Sequence, residues 1–156
     1  MRIDLIAVGQ RMPAWVADGF NDFSRRLPRE CSLHLTEIAA VQRGKRDNSE
    51  QAIRTEGERL LAAIPAGSIV IALDVQGETW SSTELARQFE EWLHSGGSVA
   101  LLVGGADGLS QECLKRAVRR WSLSPLTLPH MLVRILVAEQ LYRAWSILKN
   151  HPYHRA

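Results

Sequence analysis

Only two cysteines, Cys31 and Cys113, stand in the 156 residues, in unrelated places and without a CxxC spacing. Zinc ribbons and disulfide frameworks both need more sulfur than this, and a reducing compartment is expected. No run of about 18 apolar residues exists, so nothing is expected to span a membrane. The opening Met1-Arg2-Ile3-Asp4-Leu5-Ile6-Ala7-Val8 is too short and too acidic for a secretory signal. A cytoplasmic protein is the expectation. Signatures of phosphate and nucleophile chemistry are missing as well. There is no P-loop and no GxSxG elbow, and the first strand runs into Gly9-Gln10-Arg11 where a dinucleotide fold would carry GxGxxG. Charge of either sign is in small excess: a formal net charge of +2 permits an RNA partner without requiring one.

What is present reads as alternating strands and helices. Residues 3–8 form a β-rich run closed by Gly9. Pro13 opens a helix whose Trp15, Val16, Phe20 and Phe23 lie near one face, and Pro28 ends it. Residues 31–39 alternate Leu33, Leu35 and Ile38 with polar partners, which predicts a half-exposed strand with His34 on its solvated side. Residues 42–48 make a basic, glycine-containing loop suited either to solubility or to phosphate contact. Asn48 or Ser49 caps a second helix with Ile53, Leu60 and Leu61 as its apolar stripe.

Residues 68–74 and 99–103 are apolar without alternation, the mark of parallel strands buried on both faces. Between them, residues 74–79 read as an exit loop, Ser81 or Ser82 as a helix cap and Gly96-Gly97 as its stop. Ser110 caps a short helix to about residue 118, a last strand lies near 120–123, and Pro129 opens a long apolar helix. This order predicts one α/β domain over 1–156: a mostly parallel, doubly wound sheet with helices on both faces.

The last helix carries a contradiction. Glu139, Arg143 and Ser146 share a face expected to meet solvent, while His130, Arg134, Ala138, Leu141 and Trp145 share the opposite, apolar one. A guanidinium there needs a carboxylate partner or an anion to hold. Residues 131–138 are apolar nearly all round, which suits a subunit interface. Ahead of this helix, Gly104-Gly105-Ala106-Asp107-Gly108 and Leu123-Ser124-Pro125-Leu126-Thr127-Leu128 would offer backbone polar groups to a planar polar ligand such as adenine, between apolar side chains. His151 and His154 flank Pro152 without companion ligands, so no metal is expected.

These loops, with Leu73-Asp74, Trp121-Ser122, Leu128-Pro129-His130, the helix run from Val133-Arg134-Ile135 to Tyr142-Arg143-Ala144 and the tail His151-Pro152-Tyr153-His154-Arg155, resemble the ribosomal RNA large subunit methyltransferase H family of the SPOUT superfamily. The likeness covers the whole chain, with mild departures at Ala106 and Met131, where members often carry proline. It implies a homodimer with a C-terminal trefoil knot over about residues 99–150, an exception to the usual rule against threaded chains. It implies S-adenosylmethionine as the methyl donor to N3 of a pseudouridine in large-subunit (23S) rRNA, within the assembled ribosome.

By motif, the cofactor positions are Leu73, Gly104, Leu123, Ser124, Pro125, Leu126, Thr127 and Leu128. Arg134, Tyr153, His154 and Arg155 are expected around the target base, His130 nearby, and residues 151–156 as a tail covering the substrate. His154 is the best of these for proton transfer near neutral pH. Arg25, Arg26, Lys45, Arg46 and the basic residues of 115–120 are expected to meet phosphates. The rival readings are a non-catalytic ribosome- or RNA-binding protein of this fold, and a methyltransferase with another RNA target.

Overall fold

A computed structural model describes residues 1–43 and 48–155. Its first half runs β1 (Arg2–Val8), α1 (Ala14–Arg26), β2 (Ser32–Ile38), α2 (Ser49–Ala62) and β3 (Ile69–Thr79). Then come α3 (Ser82–Ser95), β4 (Val99–Val103), α4 (Gln111–Arg116), β5 (Arg119–Ser122), α5 (His130–Leu148) and a 3-10 turn (Pro152–Arg155). The five strands stand in the order β2-β1-β4-β3-β5, and every neighbouring pair is parallel.

Alternation along each strand sorts the two faces of this sheet. Ile3, Leu5 and Ala7 of β1 with Val99, Leu101 and Val103 of β4 pack under α1, α3 and α5. Ile6, Val8, Ala100 and Leu102 point the other way, toward Leu60 of α2 and Cys113 of α4. β4 is therefore buried along its whole length, and β1 is buried from Ile3 to Val8 with its Asp4 paired to Arg2. Helix ends follow local chemistry. Asn48 accepts from Gln51 N, Ser81 and Glu84 form a reciprocal capping box, Gly96 closes α3 at φ 70°, and Ser110 accepts from Cys113 N.

Several expectations are corrected. Residues 74–79 are not a loop: β3 continues through them after a register shift between Leu73 and Glu78, and re-pairs with β5 at Glu78–Trp121 and Thr79–Ser122. Gly77 permits this, because a Cβ there would lie 2.6 Å from the Arg120 carbonyl carbon. Trp15 is 62% exposed; α1 buries Val16 and Phe20, one helical turn apart. The buried stripe of α2 is Ala52, Glu56, Gly57 and Leu60, with Ile53 and Leu61 only partly covered. Pro129 precedes α5 as its N-cap, α4 ends at Arg116, and Cys31 lies just before β2.

The predicted solvent face of α5 is covered. Ser146 is fully buried, and Glu139 and Arg143 are mostly enclosed. The chain after α5 doubles back over that face, starting with His151 N donating to Ser146 O at 2.8 Å. Asn150, at φ 53°, makes the reversal.

Candidate active site

β4 ends at Val103, where its pairing with β3 also ends at Leu73, so the turn after β4 and the irregular stretch of β3 diverge from one edge of the sheet. A cavity of about 520 Å³ opens there. One wall is the turn after β4. Gly108 N donates to Gly105 O at 3.1 Å, and Gly108 adopts φ 83°. A Cβ on Gly104 would stand 2.5 Å from both C and O of Gly108, so the strand can enter this turn only through glycine. The opposite wall is the loop between β5 and α5. Ser122 Oγ donates to Ser124 O at 3.1 Å, and Ser124 Oγ accepts from Leu126 N at 3.0 Å. Leu126, 72% exposed, forms part of the rim.

Of the expected cofactor positions, Leu73, Gly104, Leu123, Ser124, Leu126, Thr127 and Leu128 line this cavity, and Pro125 does not. Asp74, Val75 and Gln76 line it too, set free from the ladder by the register shift in β3. A glycine inside a strand-like run was the signal for that irregularity. Arg120 and Trp121 of β5 complete that side, with Trp121 stacked on Trp80 at 5.3 Å between ring centroids.

His130 lines the cavity at the first position of α5, and Arg134, one turn on, does not. The Arg134 side chain is fully enclosed. Its Nη1 donates to Glu37 Oε2 at 2.7 Å, and its Nη2 donates to Gly9 O at 2.7 Å. The carboxylate partner that an arginine on an apolar face requires is thus Glu37, supplemented by a strand-end carbonyl. Gly9 lies between the two α5 side chains: a Cβ there would be 3.5 Å from Arg134 Nη2 and 3.6 Å from His130 Nε2. Truncating Arg134 to Ala is expected to lower stability by about 3 kcal/mol, the low end for breaking a buried pair, because Glu37 can turn to solvent. Urea unfolding checks this; a loss under about 1 kcal/mol contradicts it.

The tail docks on the far half of α5. Tyr153 Oη donates to Glu139 Oε1 at 2.9 Å, its ring lies 4.7 Å from Tyr142, and Arg143 sits 5.0 Å from its centroid. Burial, and then the Glu139 carboxylate, push the Tyr153 phenol above its ordinary pKa, so the hydroxyl stays protonated. His154 Nδ1 is enclosed without a hydrogen-bond partner among the described residues. Arg155 is exposed and donates to Asn150 Oδ1 at 3.2 Å. Tyr153, His154 and Arg155 are brought together with one another, yet none lines the cavity of its own chain. From Val133 at the cavity to Tyr142 beneath the tail is roughly 14 Å along the helix axis.

The basic surface is uneven. Arg25 is exposed, Arg26 pairs with Asp22 at 2.9 Å, and Arg119 lies 3.6 Å from Glu78. Lys45 and Arg46 lie outside the described residues. No helix among the described residues is long and apolar enough to cross a membrane.

The family model described as "Predicted SPOUT methyltransferase" matches residues 1–154. A protein of Thioalkalivibrio sulfidiphilus named ribosomal RNA large subunit methyltransferase H is 56% identical over 155 residues, 99% of each chain. Its namesake from Alkalilimnicola ehrlichii is 56% identical over 156 residues and 100% of each chain. That from Methylococcus capsulatus is 52% identical over 155 residues, 99% of this chain and 100% of the relative. Among solved structures, a probable methylase family protein from Haemophilus influenzae shares the fold at a TM-score of 0.53 and 16% identity, over 97% of this chain and 69% of that one. A cavity built from late glycine and leucine-rich loops, at the carboxyl edge of a parallel sheet and without a Rossmann signature, thus meets a whole-length family match: the chain belongs to the SPOUT methyltransferases, in the ribosomal RNA large subunit methyltransferase H group.

Proposed function

We propose that the chain methylates N3 of a pseudouridine in large-subunit (23S) ribosomal RNA, with S-adenosylmethionine as donor, as a cytoplasmic homodimer acting on the assembled ribosome. The supporting observation is the cavity walled by residues 104–108 and 123–128. Its volume suits a nucleoside-sized ligand. Its lining joins apolar side chains such as Leu73, Leu128 and Val133 to backbone polar groups, the donor set an adenine needs. In this reading Leu73, Gly104 and residues 123–128 hold the cofactor, and residues 99–150 carry the trefoil knot of the family. Bound S-adenosylmethionine supplies a sulfonium-activated methyl group for in-line displacement, so the protein contributes chiefly by positioning.

The target's N3–H must lose its proton as the methyl arrives. Tyr153 cannot take it, since its hydroxyl is held protonated and already donates to Glu139. His154 is the group we assign to proton transfer, its Nδ1 having no hydrogen-bond partner among the described residues. Arg155 adds positive charge that lowers the effective pKa of the ring nitrogen. Arg134 acts through position, holding the Gly9 turn against His130.

The tail lies too far along α5 to reach its own cavity. A second chain, packed along the apolar first half of α5, brings its tail to the first chain's cavity. Light scattering should therefore return twice the 17.5 kDa chain mass.

Mass mapping of rRNA from cells lacking this protein tests the target: one methyl should disappear from a large-subunit pseudouridine. An unchanged map rejects the reading, and failure to bind S-adenosylmethionine favours a non-catalytic RNA-binding role. RNA affinity should fall steeply with salt. Six phosphate contacts among Arg25, Arg26, Lys115, Arg116, Arg119 and Arg120 would cost about a thousandfold between 50 and 200 mM, measurable by filter binding.

A further inference from the structure

Arg43 and Glu56 do not themselves line the cavity, yet they are built around its wall. Glu56, on α2, is 2% exposed. Its carboxylate accepts from Val41 N at 3.0 Å and from Arg43 Nη1 and Nη2 at 3.0 and 3.1 Å. A Cβ on Gly105 would stand 3.5 Å from Glu56 Oε1, so the buried charge lies directly beneath the turn after β4. Arg43 Nη1 also donates to Val41 O at 2.8 Å. The guanidinium is thereby fixed in place, and its Nε reaches Asp107 Oδ2 at 2.8 Å. Asp107 is a cavity-lining residue of that same turn, with a side chain 37% exposed.

A carboxylate is an expensive group to bury in the stripe of a helix, where an apolar residue would pack as well. Its geometric effect is specific: it orients an arginine fork whose remaining edge meets one aspartate. Within the turn itself Gly108 N donates to Gly105 O, and the intervening Ala106 and Asp107 are exposed.

Resting on the cofactor reading of the cavity, we propose that Arg43, braced by Glu56, is a positioning residue that latches the 104–108 turn through Asp107 and so sets the affinity for S-adenosylmethionine. Loosening the latch leaves the turn to be ordered by the cofactor itself, and binding weakens by that ordering cost.

The test is calorimetric titration of S-adenosylmethionine into the intact dimer, its Asp107→Asn and Arg43→Lys variants and the double variant. Asp107→Asn keeps the buried Arg43–Glu56 pair, so the fold is retained, and Kd should rise about fivefold. Lysine cannot span two carboxylates with a planar fork, so Arg43→Lys should weaken binding similarly. The double variant should be no weaker than the weaker single one, because both break the same link. In methyl-transfer assays KM for the cofactor should rise by more than kcat falls, whereas a merely structural role would lower the melting temperature and leave Kd alone. Wild-type affinity in Asp107→Asn, or fully additive losses, overturns the latch while the cavity reading stands. A wild-type chain that does not bind S-adenosylmethionine overturns both. If Arg43→Lys does not fold, Asp107→Asn decides.

Discussion

Ending the chain after Asn150 should abolish methyl transfer while leaving S-adenosylmethionine affinity within about twofold of the full chain. The removed segment contributes Tyr153, His154 and Arg155 and no lining residue of its own chain's cavity. It also uncovers part of α5, through loss of the Tyr153–Tyr142 contact and the hydrogen bond to Glu139. The stability cost should be about 2–4 kcal/mol, the scale of one aromatic pair and one hydrogen bond to a charged group. Single-turnover methylation of ribosomes beside calorimetry separates these effects, and full activity in the truncated chain would sink the role given to the tail.

Mixing sharpens the result. A truncated chain has a good cavity without a tail; a chain with a ruined cavity keeps its tail. Equal amounts, allowed to exchange, should recover about a quarter of wild-type activity if tails act across a two-fold interface, since half the dimers are mixed and each has one complete site. No recovery would mean that each tail serves its own chain.

Gly104→Ala is the natural partner for that experiment and the second large effect. The added methyl carbon would fall 2.5 Å from the carbonyl carbon and oxygen of Gly108. Those are backbone atoms of a four-residue turn, with no flexible side chain to move aside. The turn must open, and with it one wall of the cavity. Overpacking of this kind costs about 1–3 kcal/mol, so cofactor affinity should fall by up to about a hundredfold. Circular dichroism should change little, since β4 ends one residue earlier at Val103. Calorimetry showing wild-type affinity would remove this turn from the binding site.

Much of this site was legible from residue pattern. Unbroken apolar runs marked β3 and β4 as central strands, and the glycines after β4 and the leucines before α5 marked the two loops that wall the cavity. Arg134 was legible as an anomaly, although sequence could not choose between a carboxylate partner and an anion; Glu37, on a strand 97 positions away, decides it. Three things were hidden. The continuation of β3 past Leu73 depends on Gly77 meeting the Arg120 backbone, a contact between segments far apart in sequence. The apparent solvent face of α5 is polar because Glu139 and Arg143 hold the tail, which helix periodicity alone cannot distinguish from contact with water. Nothing in the sequence singles out Glu56: its burial on α2 is explained by Arg43, thirteen positions away.

The strand order also bears on how the chain reaches this state. β1 lies between β2 and β4, so Ile3 pairs with Leu33 on one side and Val99 on the other. During synthesis β2 follows soon, but the opposite edge of β1 waits for β4. Until then an apolar strand edge stands open, the kind of template on which chains associate wrongly. Arg134 closes the same strand later still, bonding Gly9 across 125 positions of sequence. Contacts of such range place folding in the slow, milliseconds-to-seconds class of topologies. The first strand of this sheet to be synthesised is among the last to be fully secured.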